Sequence, residues 1–536
     1  MNKQSLAFVA GLVVLSTMAA GFPVGSQATG LVSEKLLGSV RVDVRKTVTS
    51  GDGLHLAYVA PKGNRLLVVT DGRPGLAYDG IGKDGPFFSP DGKRIAYSVG
   101  MSGRHFVVVD DLPGPEYDGI VESTLVFSSD SRRIAYVAQS GNKWLVVVDG
   151  LPGPECEGII AGSPVFSPDG KRIAYAAEKS GKQFVVVDDQ AGPEYDGIAC
   201  LAFSPDSKHI AYAAHATDKW FLVVDGQSNP EYDGIGEEGL IFSLDGARLA
   251  YRAINGFKHS VVIDGQPGPE YDKISPMTPI FSPDGKRVAY AAEKGGKGLV
   301  VVDGQPGPEY DGIGEGSLIF SPDGKRVAYM ATKGDKWLVV VDTQPSPEYD
   351  GLGKSSLMFS SDGKHFAYVA ARGDRRFVVI DGRPEPEYDG IAKGDPDFSP
   401  DGKRVAYSAR KGKKWLMVVD GQPGPVYDGT GKIATVFSPD GKGVAYSARK
   451  GKKWLVVIDG QPGPEYSSIG EGSPLFSPDS RRVAYDATKG SKRTMIVDGQ
   501  TSPEYDGIGV GGPTFQPDGS LEYVAWRSGS LYRVSQ

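Results

Sequence analysis

The chain has 536 residues, 40% of them hydrophobic and 23% charged, with a net charge of −7. That is the balance of a globular protein with a buried core, and the mild acidity, with both signs interspersed, lacks the basic footprint of a nucleic-acid binder. Only Cys156 and Cys200 occur, which excludes a disulfide scaffold; two buried free thiols are the preferred reading, and a bond between neighbouring repeats in an exported protein is the alternative.

The first residues read as an export signal over residues 1–28. Lys3 supplies a positive start, residues 6–20 form a short apolar run, and Ser26-Gln27-Ala28 or Met18-Ala19-Ala20-Gly21 offers a cleavage site. The alternative is an uncleaved anchor, because the run can be stretched to Phe22. No cysteine follows it, which argues against a lipoprotein anchor. The expected location is periplasmic or secreted, with membrane contact only through an uncleaved leader. Residues 29–48 contain Ser39-Val40-Arg41-Val42-Asp43-Val44, whose alternation predicts a strand.

From residue 49 to 536 the chain is a repeat. Variants of Phe-Ser-Pro-Asp-Gly-Lys-Arg-Val-Ala-Tyr start at twelve phenylalanines from Phe88 to Phe515, 39 residues apart except for 37 between Phe166 and Phe203. A degenerate copy, Thr49-Ser50-Gly51-Asp52-Gly53 leading to Leu56-Ala57-Tyr58, makes thirteen. A fixed period of this size means one supersecondary unit stacked on copies of itself.

Residues 280–318 serve as the template. Ile280-Phe281-Ser282 predicts a first strand and Pro283-Asp284-Gly285 a type I turn. Residues 287–292 predict a second strand, Lys294-Gly295-Gly296-Lys297 a turn, and Leu299-Val300-Val301-Val302 a third strand. Asp303-Gly304-Gln305-Pro306-Gly307 turns again. Pro308-Glu309-Tyr310-Asp311-Gly312-Ile313 then predicts a fourth, outer strand, where the missing proline N–H is tolerated. Four short antiparallel strands make a propeller blade, so the fold class is an all-β propeller. The turn aspartates, Asp52 to Asp518, and those ending each third strand, Asp71 to Asp498, recur in copy after copy. A catalytic acid is needed once, so these are predicted turn caps accepting backbone N–H groups.

The last copy offers three strands up to Val534, and residues 39–44 offer the fourth, joining the termini and removing an exposed edge. Propellers usually carry about 4–8 blades, so the preferred reading is two tandem rings of six and seven, with a boundary near residues 280–320. One very large ring is the alternative, favoured by a spacing that no linker interrupts.

The string Phe-Ser-Pro-Asp-Gly-Lys-Arg-Val-Ala-Tyr resembles the WD-like β-propeller repeat of the TolB type. The added Val-Val-Val-Asp-Gly-Gln-Pro-Gly-Pro-Glu-Tyr-Asp-Gly-Ile resembles a variant found in exported bacterial repeat proteins. The resemblance covers nearly everything after residue 49 and implies a propeller. TolB's N-terminal α/β domain has no counterpart among the few residues before the first repeat, so no role in the Tol machinery is carried over.

Function is sought where the copies differ. Five residues before the aspartate that ends each third strand stand Leu66, His105, Trp144, Gln183, Trp220, His259, Gly298, Trp337, Arg376, Trp415, Trp454 and Arg493. Tryptophan and arginine are enriched in binding hot spots, so Trp144, Trp220, Trp337, Trp415, Trp454, Arg376 and Arg493 are candidate partner- or ligand-binding residues. The competing reading is that each Trp packs over the neighbouring blade. The hairpins Arg410-Lys411-Gly412-Lys413-Lys414-Trp415 and Arg449-Lys450-Gly451-Lys452-Lys453-Trp454 put eight cations and two tryptophans on one rim. Such a rim suits an acidic protein surface, an acidic polysaccharide or an anionic head group; solvated turns are the plain alternative. Asp395 and Asp397, two apart and so on one face of a strand, are candidate channel carboxylates for acid–base work or cation binding.

The sequence has no Gly-x-Ser-x-Gly elbow, and its six histidines lack metal-ligand spacing. No cofactor and no metal are expected. The favoured reading is a non-catalytic exported scaffold binding a protein partner in the cell envelope or outside the cell. Carbohydrate or other ligand binding through the variable rim is the second reading, and a propeller glycosidase the third.

Overall fold

The computed structural model describes residues 32–39, 45–394, 396–431, 435–509 and 512–536. The expected signal at 1–28 and Asp395 lie outside them. The described regular elements are all β-strands, gathered in thirteen antiparallel sheets.

Blade 8 shows the design. Its inner strand is in two pieces, Gly312–Ile313 and Ile319–Phe320; the second strand is Val327–Lys333, the third Lys336–Val341, and the outer begins at Gln344–Pro345. The predicted outer strand is corrected here. Tyr310 ends blade 7 opposite Gly298, and the chain then crosses so that Gly312–Ile313 pairs with Thr332 and Ala331 of blade 8. Asp311 fixes the crossing. Its Oδ1 accepts Lys297 Nζ of blade 7 at 2.5 Å, and its Oδ2 accepts the Gly334 N–H of blade 8 at 2.6 Å.

Residues 314–318 interrupt the inner strand, and Leu318 among them packs into the interface with blade 7. Ser317 Oγ stands in for the missing backbone partner, accepting the Met330 N–H at 3.0 Å and donating to Gly314 O at 2.6 Å. In blade 5 the inner strand is Gly197–Phe203, two residues shorter than the unbroken Gly119–Phe127 of blade 3, which accounts for the 37-residue interval.

The thirteen blades form one ring. Each hydrophobic cluster joins two consecutive blades, and one of them packs Val524 and Leu531 of blade 13 against Leu56, Tyr58 and Leu67 of blade 1. Across the expected boundary, Ala289 and Val300 of blade 7 meet Leu318, Val327 and Tyr329 of blade 8 as at any other interface. The two-ring preference is thereby corrected. Thirteen blades share the circle, leaving 360°/13, about 28°, between neighbours.

The N-terminal segment closes the ring through Ser33–Ser39; of the strand expected over residues 39–44, residues 40–44 lie outside the described residues. Ser33–Ser39 pairs antiparallel with Ser530–Ser535 as the outer strand of blade 13. Arg45–Thr49 is the inner strand of blade 1. Glu34 accepts the Tyr505 hydroxyl at 2.7 Å and Arg527 Nη2 at 2.8 Å. Burial raises the Glu34 carboxyl, but these hydrogen bonds and the Arg527 charge outweigh it and hold the group below its ordinary range.

Interface chemistry repeats. The tyrosine ending one blade meets the second-strand tyrosine of the next edge to face, as Tyr388 meets Tyr407 at 6.3 Å. Cys156 takes such a tyrosine position and packs against Tyr175, whereas Cys200 lies against the cluster between blades 5 and 6. Both are free thiols, as expected, but only Cys156 is buried and Cys200 is half-buried; burial raises the pKa of each.

Candidate partner-binding face

Antiparallel strands sort the connections to two faces. On one lie the Ser-Pro-Asp-Gly turns. Ser282 Oγ donates to Asp284 Oδ1 at 2.6 Å and accepts the Arg287 N–H at 3.0 Å, while Asp284 accepts the Lys286 N–H at 3.3 Å. Asp303, ending the third strand, accepts the Val288 N–H at 3.0 Å and Arg287 Nε at 2.8 Å. Both repeated aspartates are caps.

These caps set an acid limit. The Asp169 and Asp362 carboxyls are pulled down to about 2 from 3.8, first by the Ser167 and Ser360 hydroxyls and then by the Lys171 and Lys364 N–H groups. A carboxyl whose folded pKa lies below its unfolded value stabilises the fold above the unfolded value and loses that contribution as pH falls through the folded one. The melting temperature is therefore expected to hold from neutral pH to about 5 and to fall steeply between about 4 and 2. A melt series across pH checks this, and a flat profile down to about pH 3 would contradict it.

On the other face lie the second-to-third-strand hairpins, the crossovers and the variable position. Two small replacements show where that side chain points. At Gly298 a Cβ would stand 3.0 Å from Ile313 N, and Gln183 Oε1 accepts the Ile198 N–H at 2.8 Å. The position therefore lies over the crossover into the next blade. Trp144, Trp220 and Trp337 pack there against the clusters between blades 3 and 4, 5 and 6, and 8 and 9. Trp415 and Trp454 are half-buried and pair across the hairpin with Arg410 and Arg449. Arg376 is exposed, donating to Gly373 O at 3.1 Å. Arg493 instead turns inward to an ion pair with Asp486, whose side chain is 6% exposed.

The structure brings the two basic hairpins together. Asp428, at the crossover from blade 10, accepts Lys414 Nζ at 2.5 Å and the Gly451 N–H of the second hairpin at 2.7 Å. Arg410 Nη2 donates to Asp389 O at 2.7 Å and Arg449 Nη2 to Asp428 O at 3.1 Å, holding both over the crossovers.

In other blades the cation that opens the third strand is neutralised in register, and the one that ends the second strand is so paired in blades 8 and 9. Lys333 pairs with Glu348 at 3.1 Å and Lys336 with Asp350 at 2.5 Å, acids fifteen and fourteen residues on. Lys450 keeps its partner, Glu465, at 3.3 Å. At the place of Lys411's acid stands Val426, 61% exposed, and at the place of Lys453's acid stands Ser467. Among the described residues, Lys411, Lys413, Lys452 and Lys453 have no carboxylate partner. Reading the hairpins alone misses these acid losses; the signal was in the register, fourteen and fifteen residues downstream.

Asp397 pairs with Ala406 in the inner strand of blade 10, at the register position where Ile280 and Ile319 pack against blade interfaces. Burial raises its carboxyl pKa. Among the described residues no three of His, Cys, Asp and Glu gather as metal ligands, and no helix is long and apolar enough to cross a membrane.

No family model and no curated protein matches this chain. Its fold is similar to solved structures. One is a eukaryotic initiation factor, with 16% identity over 65% of this chain and 96% of that one, at a TM-score of 0.30. Another is TolB from Acinetobacter baumannii, 17% identical over 48% of this chain and 77% of that one, at 0.21. A third is the β-propeller domain of the Trilobed protease from Pyrococcus furiosus, 14% identical over 50% and 96%, at 0.23. Overlaps this loose carry no functional argument.

Proposed function

We propose that this chain is a non-catalytic, exported propeller scaffold that binds an acidic surface of a protein partner through the hairpins of blades 10 and 11. One observation carries the reading: Val426 and Ser467 replace counter-acids where the hairpins gain cations, leaving four lysines beside Trp415 and Trp454. A solvated structural turn needs no such loss. Cations flanked by partly exposed aromatic rings suit anionic partners, steering association and then supplying apolar contact.

The test is a fourfold change, Lys411, Lys413, Lys452 and Lys453 each to Gln. Crosslinked capture from the cell envelope is expected to lose its principal acidic protein. Melting should move little, since exposed charge changes stay within about 0.5 kcal/mol. Capture that survives the change overturns the reading. Saturable binding to acidic glycans on an array, lost in the same variant while protein capture persists, would put polysaccharide in the partner's place.

A further inference from the structure

On the opposite face the repeat builds the same guanidinium site many times over. Arg287 is the pattern: Nε bonds Asp303 Oδ2 at 2.8 Å, Nη1 donates to Lys325 O of the next blade at 2.6 Å, and the guanidinium lies 5.6 Å from the centre of the Phe320 ring. Arg94, Arg133, Arg248, Arg326, Arg404 and Arg482 repeat the ion pair and the ring contact. Where arginine is absent, His55, His209 and His365 take the aspartate through Nδ1 at 2.6 Å.

Blade 11 departs from both. Its residue at this position is Gly443. Asp459 still accepts the Val444 N–H on Oδ1 at 2.8 Å, but among the described residues no cation reaches its Oδ2. The other parts of the cradle are present in sequence: Phe476 for the ring and Arg481 for the carbonyl. The Phe476 ring edge leans over the glycine, 3.1 Å from where a Cβ would stand. A groove of about 730 Å³ between blades 10 and 11 opens on Gly443 and Asp459, floored by Met417 and edged by Pro423 and Pro425; Arg404, already paired with Asp420, and Lys442 also line it.

We propose that this notch is a docking site for an arginine side chain on an extended segment of a partner polypeptide. Asp459 supplies the charge for the guanidinium, and the Phe476 ring and the next blade's turn carbonyl complete it, as the chain's own arginines show in the other blades. The groove exceeds the volume of a single guanidinium and offers Met417, Val419, Pro423 and Pro425 as apolar surface, so it receives the residues flanking the arginine. Its position across the disc from the basic hairpins makes the site independent of the reading above.

The full chain is titrated with N-acetyl-arginine amide, N-acetyl-citrulline amide and a short peptide carrying one arginine between Ala and Pro residues. The arginine amide is expected to bind saturably in the millimolar range, the neutral citrulline analogue at least roughly 10-fold more weakly, and the peptide more tightly than the amide. Gly443→Arg places the chain's own guanidinium in the cradle and is expected to abolish binding. Asp459→Asn, which leaves the groove wall intact, is expected to weaken it roughly 10- to 100-fold. Equal binding of arginine and citrulline, binding unchanged in Asp459→Asn, or binding retained by a folded Gly443→Arg overturns the site. Equal affinity for amide and peptide overturns its role in polypeptide docking.

Discussion

Deleting residues 32–39 is expected to destabilise the protein by on the order of 5 kcal/mol and to make it self-associate. These residues form the strand that covers Ser530–Ser535. Their loss removes six paired register positions and strips Leu37 from the cluster between blades 13 and 1 and Val32 from that between blades 12 and 13. It also leaves Tyr505, fully buried, without its Glu34 acceptor. The bared edge of blade 13 becomes a template for pairing with another chain. Light scattering after size exclusion and a thermal melt read both effects. A monodisperse variant with wild-type melting would show that face-to-face blade packing alone closes the ring.

Tyr407→Ala is expected to cost about 3–5 kcal/mol, whereas Tyr407→Phe is expected to be neutral or slightly stabilising. The ring is 0% exposed in the cluster between blades 9 and 10, edge to face with Tyr388 and packed with Val405, Leu416 and Val418. Removing it leaves a cavity that neighbours on two rigid sheets cannot fill. The hydroxyl is buried with no hydrogen-bond partner among the described residues, so deleting it sacrifices nothing and relieves a desolvated polar group. Chemical denaturation of the two variants side by side separates the contributions. A Phe variant as damaging as the Ala variant would mean that the hydroxyl has a partner and that the account of this interface is wrong.

Much of the blade was legible because its signals are local. Ser282, Asp284 and Gly285 make a turn through their own neighbours, and the Leu-Val-Val-Val run is buried on both faces in any blade. The blade boundary was not legible, because whether Asp311-Gly312-Ile313 continues one sheet or opens the next depends on Gly334, more than twenty residues on and in another blade. The variable position illustrates the same limit. Its residue types suggested binding throughout, yet Trp337 packs between blades, Arg493 turns to Asp486, and Trp415 and Trp454 stand with the unneutralised lysines.

The sequence by itself determined an all-β chain of repeated blades, their turn caps and the use of the N-terminal segment to close the last one, since each follows from period, alternation and turn chemistry within a few residues. Only the tertiary structure decided that the thirteen blades share a single ring, because closure rests on contacts between residues far apart in sequence, Val524 and Leu531 of blade 13 packing on Leu56 and Tyr58 of blade 1. It also decided which charges are spent. An ion pair such as Lys336 with Asp350 is a fact about register across strands, and the lack of one at Lys411, Lys453 and Asp459 becomes visible only against the copies in which the pair is made.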